Sequence, residues 1–226
     1  MDYLLLVILP TLVLSGLAQW WVRSAYSKWG QIPNGAGLNG VQVAQTLYER
    51  AGLAPVPLQG VDGNLTDHFD PGNNVVRLSQ GVASQPSIAS MAIVAHELGH
   101  VQQYQQRSPL IAARSFLVPA VRFSPMLASG LILAGFLFRA TGLLWLGIIC
   151  FGVTLVFMIL TLPVEFDASR RGLKMLDASG LFTNAQDRQG AQSVLTAAGM
   201  TYVAAAVTAL LQLLYYVSIA SRSSRR

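Results

Sequence analysis

Apolar positions fall in long blocks along this chain, separated by two more polar stretches. From Tyr3 to Val22 there is no charged residue, and about 20 such residues span a bilayer as a helix. Trp20 and Trp21 lie at the end of this block, with Arg23 and Lys28 just beyond, in the manner of a membrane interface. No lysine or arginine precedes it, so it reads as a span and not as a cleaved signal peptide. A second apolar region runs from Pro125 to Leu162, interrupted only by Arg139. As one helix it would be about 57 Å long, against a hydrocarbon core of about 30 Å. Arg139-Ala140-Thr141-Gly142 supplies a charge and a glycine for a tight turn, which predicts two antiparallel spans near 123–138 and 143–162. Met200 to Ala220 predicts a fourth, at 200–220.

The polar stretches, 23–122 and 163–199, are expected to fold outside the membrane and to form one domain, 1–226, with the spans. A helix is predicted at roughly 40–51, closed by Gly52. Asp70-Pro71-Gly72-Asn73-Asn74 is a turn cluster between two β-prone runs within 64–79, which predicts a hairpin. Ile88, Met91, Ala92, Ala95, Leu98 and Val101 recur at helical spacing, so Ser87 to about Gln106 is predicted to be a helix. The fold class is therefore mainly α: an integral membrane protein with about four transmembrane helices and a small α+β extramembrane part carrying a β-hairpin.

Composition narrows the classes. The chain is 53% hydrophobic and 11% charged, where soluble domains carry about 25% charge. That excludes a disordered chain, a coiled coil and a disulfide-rich module. The one cysteine, Cys150, lies in an apolar run, so no intrachain disulfide forms. The net charge of +5 is read as membrane topology, because no basic stripe with interleaved aromatics points to nucleic acid. Four spans put both polar stretches on one face. The other face carries Arg139, Arg222, Arg225 and Arg226, and the larger face is expected to be cytoplasmic.

The chemistry lies in His96-Glu97-Leu98-Gly99-His100, an H-E-x-x-H motif on the predicted helix. One helical turn separates the two histidines, so both imidazoles can bind one zinc ion. Glu97 is rotated off that axis and placed to act as general base toward a zinc-activated water. The bland alternative, two core histidines around a glutamate, would bury an ionised carboxylate at high cost. A catalytic zinc needs a third ligand. Metzincins would have a glycine at position 103 and a histidine at 106, where this chain has Gln103 and Gln106. A glutamate on a second helix is the remaining usual option, and besides Glu97 there are only Glu49 and Glu165. Glu165 can lie on the first turn of a new helix after Pro163, unless it is an interfacial carboxylate paired with Arg170 or Arg171. Two spans between His100 and Glu165 would return the chain to the same face.

Two further residues are candidates for substrate or transition-state contacts. His68 lies in the hairpin, whose edge could pair with an extended peptide. It either bonds to Asp67 or Asp70 or polarises substrate. Tyr202 lies at the extramembrane end of the last span, as an interfacial aromatic or as a phenol donor to an oxyanion.

At this point the chain resembles the YugP-type zinc-dependent membrane peptidases of bacteria, the neutral zinc metallopeptidases. The resemblance covers nearly the whole chain. It rests on Leu65-Thr66-Asp67-His68-Phe69-Asp70-Pro71, Val76-Arg77-Leu78-Ser79, His96 to Gln102, Pro163 to Arg171 and Thr201-Tyr202-Val203. The order of elements is also similar to that of the HtpX-type and CAAX-prenyl gluzincins. The resemblance implies His96, His100 and Glu165 as zinc ligands and Glu97 as base. One departure stands out. Many gluzincins carry an aspartate four residues after the ligand glutamate, bonded to a ligand histidine; here that position is Ser169, and Asp167 would face elsewhere on a helix.

The expected function is that of an integral membrane zinc metalloendopeptidase of the bacterial cell membrane. It would hydrolyse peptide bonds of membrane-associated or membrane-proximal substrates, with zinc as cofactor and the bilayer and a peptide or membrane protein as partners. Intramembrane proteolysis of the site-2 type would need a downstream Asp-Gly ligand motif, and Asp62-Gly63 lies upstream. The non-enzyme alternative is a membrane scaffold or chaperone with a structural or vestigial zinc site, which four protein ligands would mark.

Overall fold

The computed structural model describes residues 3–223; Arg225 and Arg226, counted above, lie outside them. A π-helical stretch, Leu4–Ile8, leads into α1 (Leu9–Gly30). There follow α2 (Gly40–Arg50), β1 (Leu58–Val61), β2 (His68–Asp70), β3 (Val75–Ser79), α3 (Gln80–Ser84) and α4 (Ile88–Gln105). The chain closes with α5 (Pro109–Leu137), α6 (Thr141–Ala178) and α7 (Ala185–Ser223). Four helical stretches, ending with α1 and continuing with α5, α6 and α7, are long and apolar enough to cross a membrane. The protein is a mainly α multi-pass membrane protein with a small sheet.

Two local expectations are corrected. Pro163 does not begin a new helix: it lies inside α6, so Glu165 follows the third span without a break. Proline has a helical φ and costs the helix one backbone bond, which membrane helices tolerate. Pro119 and Pro125 lie inside α5 in the same way. The turn between α5 and α6 is made by Arg139 and not by Gly142, which is helical. Arg139 takes φ 51°, and the Ala140 N–H donates to the Gly135 carbonyl at 2.9 Å, which satisfies an end carbonyl of α5.

The chain divides into two compact units. The first comprises Met1–Ala18, Ala112–Pro163 and Met200–Arg226. Ile132, Leu144, Ile148 and Ala220 form its buried cluster. Gly147 lets α6 approach α5 closely: a Cβ there would lie 2.7 Å from the Ile132 side chain and 3.0 Å from its backbone nitrogen. Phe116, Met126, Leu133, Phe138 and Ile149 face outward, as lipid-facing side chains do.

The second unit, Gln19–Ile111 with Val164–Gly199, contains the motif helix and the sheet. Asn39 and Gln42 start α2 with a reciprocal capping box. Val43 and Leu47 of α2 pack with Val76, Leu78, Met91, Val94, Leu98 and Leu176 in one core. The predicted hairpin is present: β2 pairs antiparallel with β3, with Phe69 opposite Val76. Strand β1, absent from the sequence reading, pairs parallel with β3, so the order is β1-β3-β2. Its four residues, Leu-Gln-Gly-Val, follow Pro55 and Pro57 and show no run of alternation to detect. Helix α4 starts where Ser87 accepts a bond from the Ser90 N–H.

Helices α4 and α6 meet through glycine. A Cβ on Gly99 would lie 2.3 Å from the Ala168 carbonyl oxygen, and one on Gly172 would lie 2.6 Å from the Ala95 carbonyl oxygen. Both neighbours are backbone, so neither can rotate aside. This contact sets how near the carboxylate of α6 comes to the histidines of α4.

Candidate metal centre

Helical spacing puts His96 and His100 on one face of α4, with ring centroids 4.8 Å apart and planes at 84°. Glu165 of α6 faces them. Its Oε2 lies 3.3 Å from His96 Nε2 and 3.4 Å from His100 Nε2. Among the described residues these three offer ligand atoms within 4.8 Å of one another, with no fourth donor in the group. Glu49 of α2 is not part of it.

The donor set fits zinc. With Zn–N and Zn–O bonds of about 2.0–2.2 Å, donors on a tetrahedron are about 3.3–3.5 Å apart, as the Glu165 contacts are. Two imidazoles and one carboxylate are ordinary zinc donors. Electrostatics agree. Burial works against charge on His100, yet the bond to Glu165 and the nearby charge of Glu97 raise its pKa above the usual histidine value. The negative charge that draws a proton onto this ring suits a divalent cation in the same place.

Neighbours fix the rings. Gln103, fully buried, gives its Nε2 to the Val164 carbonyl and to Asp167 Oδ2, each at 2.9 Å. Both partners are acceptors, so the amide orientation is determined, and Oε1 faces His100 Nδ1 at 3.0 Å. His100 therefore carries its proton on Nδ1 and directs Nε2 toward Glu165. His96 Nδ1 lies 3.0 Å from Ser169 Oγ, which accepts from Nδ1 when Nε2 offers its lone pair to an ion. The sequence alone leaves the partners of the histidines open. The signals were there: Gln103 is three residues after His100, and Ser169 is four after Glu165.

Glu97 is 7% exposed and stands outside the donor group. Its Oε2 accepts the Phe69 N–H of β2 at 2.8 Å. That N–H points away from β3, so at Phe69 the outer edge of the sheet is anchored to α4. The bond holds one carboxylate oxygen and leaves the other as the atom that can take a proton. Phe69 also makes an edge contact with Tyr104, one turn beyond His100, with centroids 5.6 Å apart.

His68 is outside the donor group as well. Its Nδ1 donates to the Thr66 carbonyl at 2.8 Å, and its Nε2 faces Arg77 Nη1 at 3.4 Å. Arg77 in turn pairs with Asp70 at 2.6 Å. The ring belongs to this hairpin network, on the strand face opposite the buried Phe69. Tyr202 is half-buried on α7, in the first unit, while the three donors lie in the second.

A family model described as "Putative neutral zinc metallopeptidase" matches residues 4–221. The chain is also 38% identical over 211 residues to the "Putative membrane protease YugP" of Bacillus subtilis (strain 168), covering 93% of each chain. No solved structure matches it. With the match running from the first span to the last, the chain belongs to this family of neutral zinc metallopeptidases.

Proposed function

We propose that the protein is an integral membrane zinc metalloendopeptidase that hydrolyses peptide bonds of membrane-associated or membrane-proximal substrates. The observation that carries this reading is the convergence of His96 Nε2, His100 Nε2 and Glu165 Oε2 beside a separately anchored Glu97. A closed structural zinc would use four protein donors, and this group has three. When bound, zinc supplies a Lewis acid that polarises a carbonyl and lowers the pKa of water to about 7. His96, His100 and Glu165 would hold the ion, and Gln103 and Ser169 keep the Nδ1 protons of the two rings in place. Glu97 takes the proton of the attacking water on the oxygen that Phe69 does not hold, then gives it to the leaving amine. The Phe69 N–H keeps that carboxylate oriented through both transfers.

We further propose that the spans and the extramembrane stretches work as one functional domain. The active-site face is cytoplasmic, and Arg23, Lys28, Arg170, Arg171 and Lys174 flank the spans on that face. The test is removal of the metal from purified protein in neutral detergent, with labelled casein as probe. Chelation should abolish cleavage, and one equivalent of zinc should restore it. Undiminished cleavage by protein shown to be free of metal would contradict the proposal.

A further inference from the structure

His100 has no carboxylate on its Nδ1; it has an amide with a carboxylate behind it. Gln103 Oε1 accepts from His100, and Gln103 Nε2 passes the connection to Asp167 Oδ2. Asp167 is held in turn by Arg171, whose Nε lies 2.6 Å from the same oxygen. Arg171 Nη1 then donates to Gln102 Oε1 at 3.0 Å and to Gln106 Oε1 at 2.6 Å, at the end of the motif helix. The contacts leave α4 at Gln103, cross to α6 and return to the motif helix at Gln102 and Gln106. All its members lie in the second unit.

We infer that Gln103, Asp167 and Arg171 form a positioning relay for His100, in which the Gln103 amide transmits the orientation imposed by Asp167 but none of its capacity to take a proton. This inference rests on the reading of His100 as a zinc ligand. Three features of the amide support it. Both kinds of its polar atom are engaged, in a site with no exposure, so rotation would leave buried groups unsatisfied. The amide cannot ionise, so His100 keeps its Nδ1 proton whatever the charge on Asp167. Lastly, a carboxylate directly on a ligand histidine raises the basicity of that ligand. An interposed amide weakens this donation and leaves a bound ion more electrophilic. His96, with a serine hydroxyl on Nδ1, is treated alike.

The relay is tested by a cycle of variants read as zinc affinity in competition with a chromophoric chelator. The cobalt-substituted absorption spectrum serves as a second readout. Gln103→Glu places a carboxylate against Asp167 and should weaken zinc binding about 10–100-fold, the usual cost of losing an outer partner. Adding Asp167→Asn to it reverses the order of the two groups. The new amide at 167 can donate to position 103 and accept from Arg171. Affinity should then recover in part, the Val164 carbonyl still lacking its donor, a coupling that independent packing effects would not give. The cobalt spectrum should shift as well, because the carboxylate then contacts His100 directly. A double variant no better than the worse single one, or Gln103→Leu with wild-type affinity and spectrum, would overturn the relay. His100→Ala separates the two levels. Loss of zinc in that variant leaves the metal reading standing whatever the relay does, and retention of zinc removes the reading itself.

Discussion

Glu97→Gln should reduce peptide cleavage by on the order of 10²–10⁴-fold while leaving zinc bound. The two effects separate because Glu97 is not among the converging donors. The substituted amide keeps an oxygen that can accept the Phe69 N–H, so the β2 anchor and the buried environment survive. What is lost is the ability to take a proton from water and return it to the amine. The check is the cleavage rate beside zinc content and thermal midpoint on the same preparation. A variant that holds zinc and cleaves at the wild-type rate would remove Glu97 from the chemistry. One that loses zinc would place Glu97 among the ligands.

Gly99→Ala should lower both stability and zinc affinity, although alanine favours a helix over glycine by about 1 kcal/mol. Contact decides the sign. The added carbon would lie 2.3 Å from the Ala168 carbonyl oxygen and 2.9 Å from its carbon. A main-chain carbonyl inside α6 cannot turn away, so the helices must separate, and overpacking of this kind costs typically about 1–3 kcal/mol. Separation also draws Glu165 and Ser169, three residues before and one residue after Ala168, away from the two histidines. Gly152, on the same long α6, has nothing within 4 Å of its would-be Cβ. Gly152→Ala should therefore keep or raise the thermal midpoint and leave zinc affinity unchanged. Equal behaviour of the two variants would show that the helix crossing does not set the donor geometry.

These two residues illustrate what the chain discloses directly. Helical periodicity is local, so H-E-x-x-H fixes the common face of His96 and His100 and the offset of Glu97 without knowledge of the fold. Glu165 lies far along the sequence, yet it was legible because the chain has only three glutamates and an even number of spans intervenes. The start of its helix was misjudged, since Pro163 breaks a helix in water more readily than one whose neighbours are membrane-spanning. Gln103 was noticed only as a residue that excludes another family. Its partners, Val164 and Asp167, become neighbours through the glycine-mediated crossing, and no local pattern encodes that contact. Asp167 was expected to face away from the histidines; it does so directly, and reaches His100 through the intervening amide. Strand β1 was missed because a parallel partner of four residues leaves no alternation to read.

In the proposed function two helices hold one zinc ion, and the carboxylate that α6 brings is the least local of the three donors. Zinc affinity of Glu165→Ala beside wild type, measured by chelator competition on folded protein, tests it most directly. The account predicts one tightly held zinc per wild-type chain. It also predicts a loss in the variant greater than the roughly 10–100-fold that an outer partner costs. Unchanged affinity in a variant with wild-type thermal stability would contradict it, because the ion would then be held without α6.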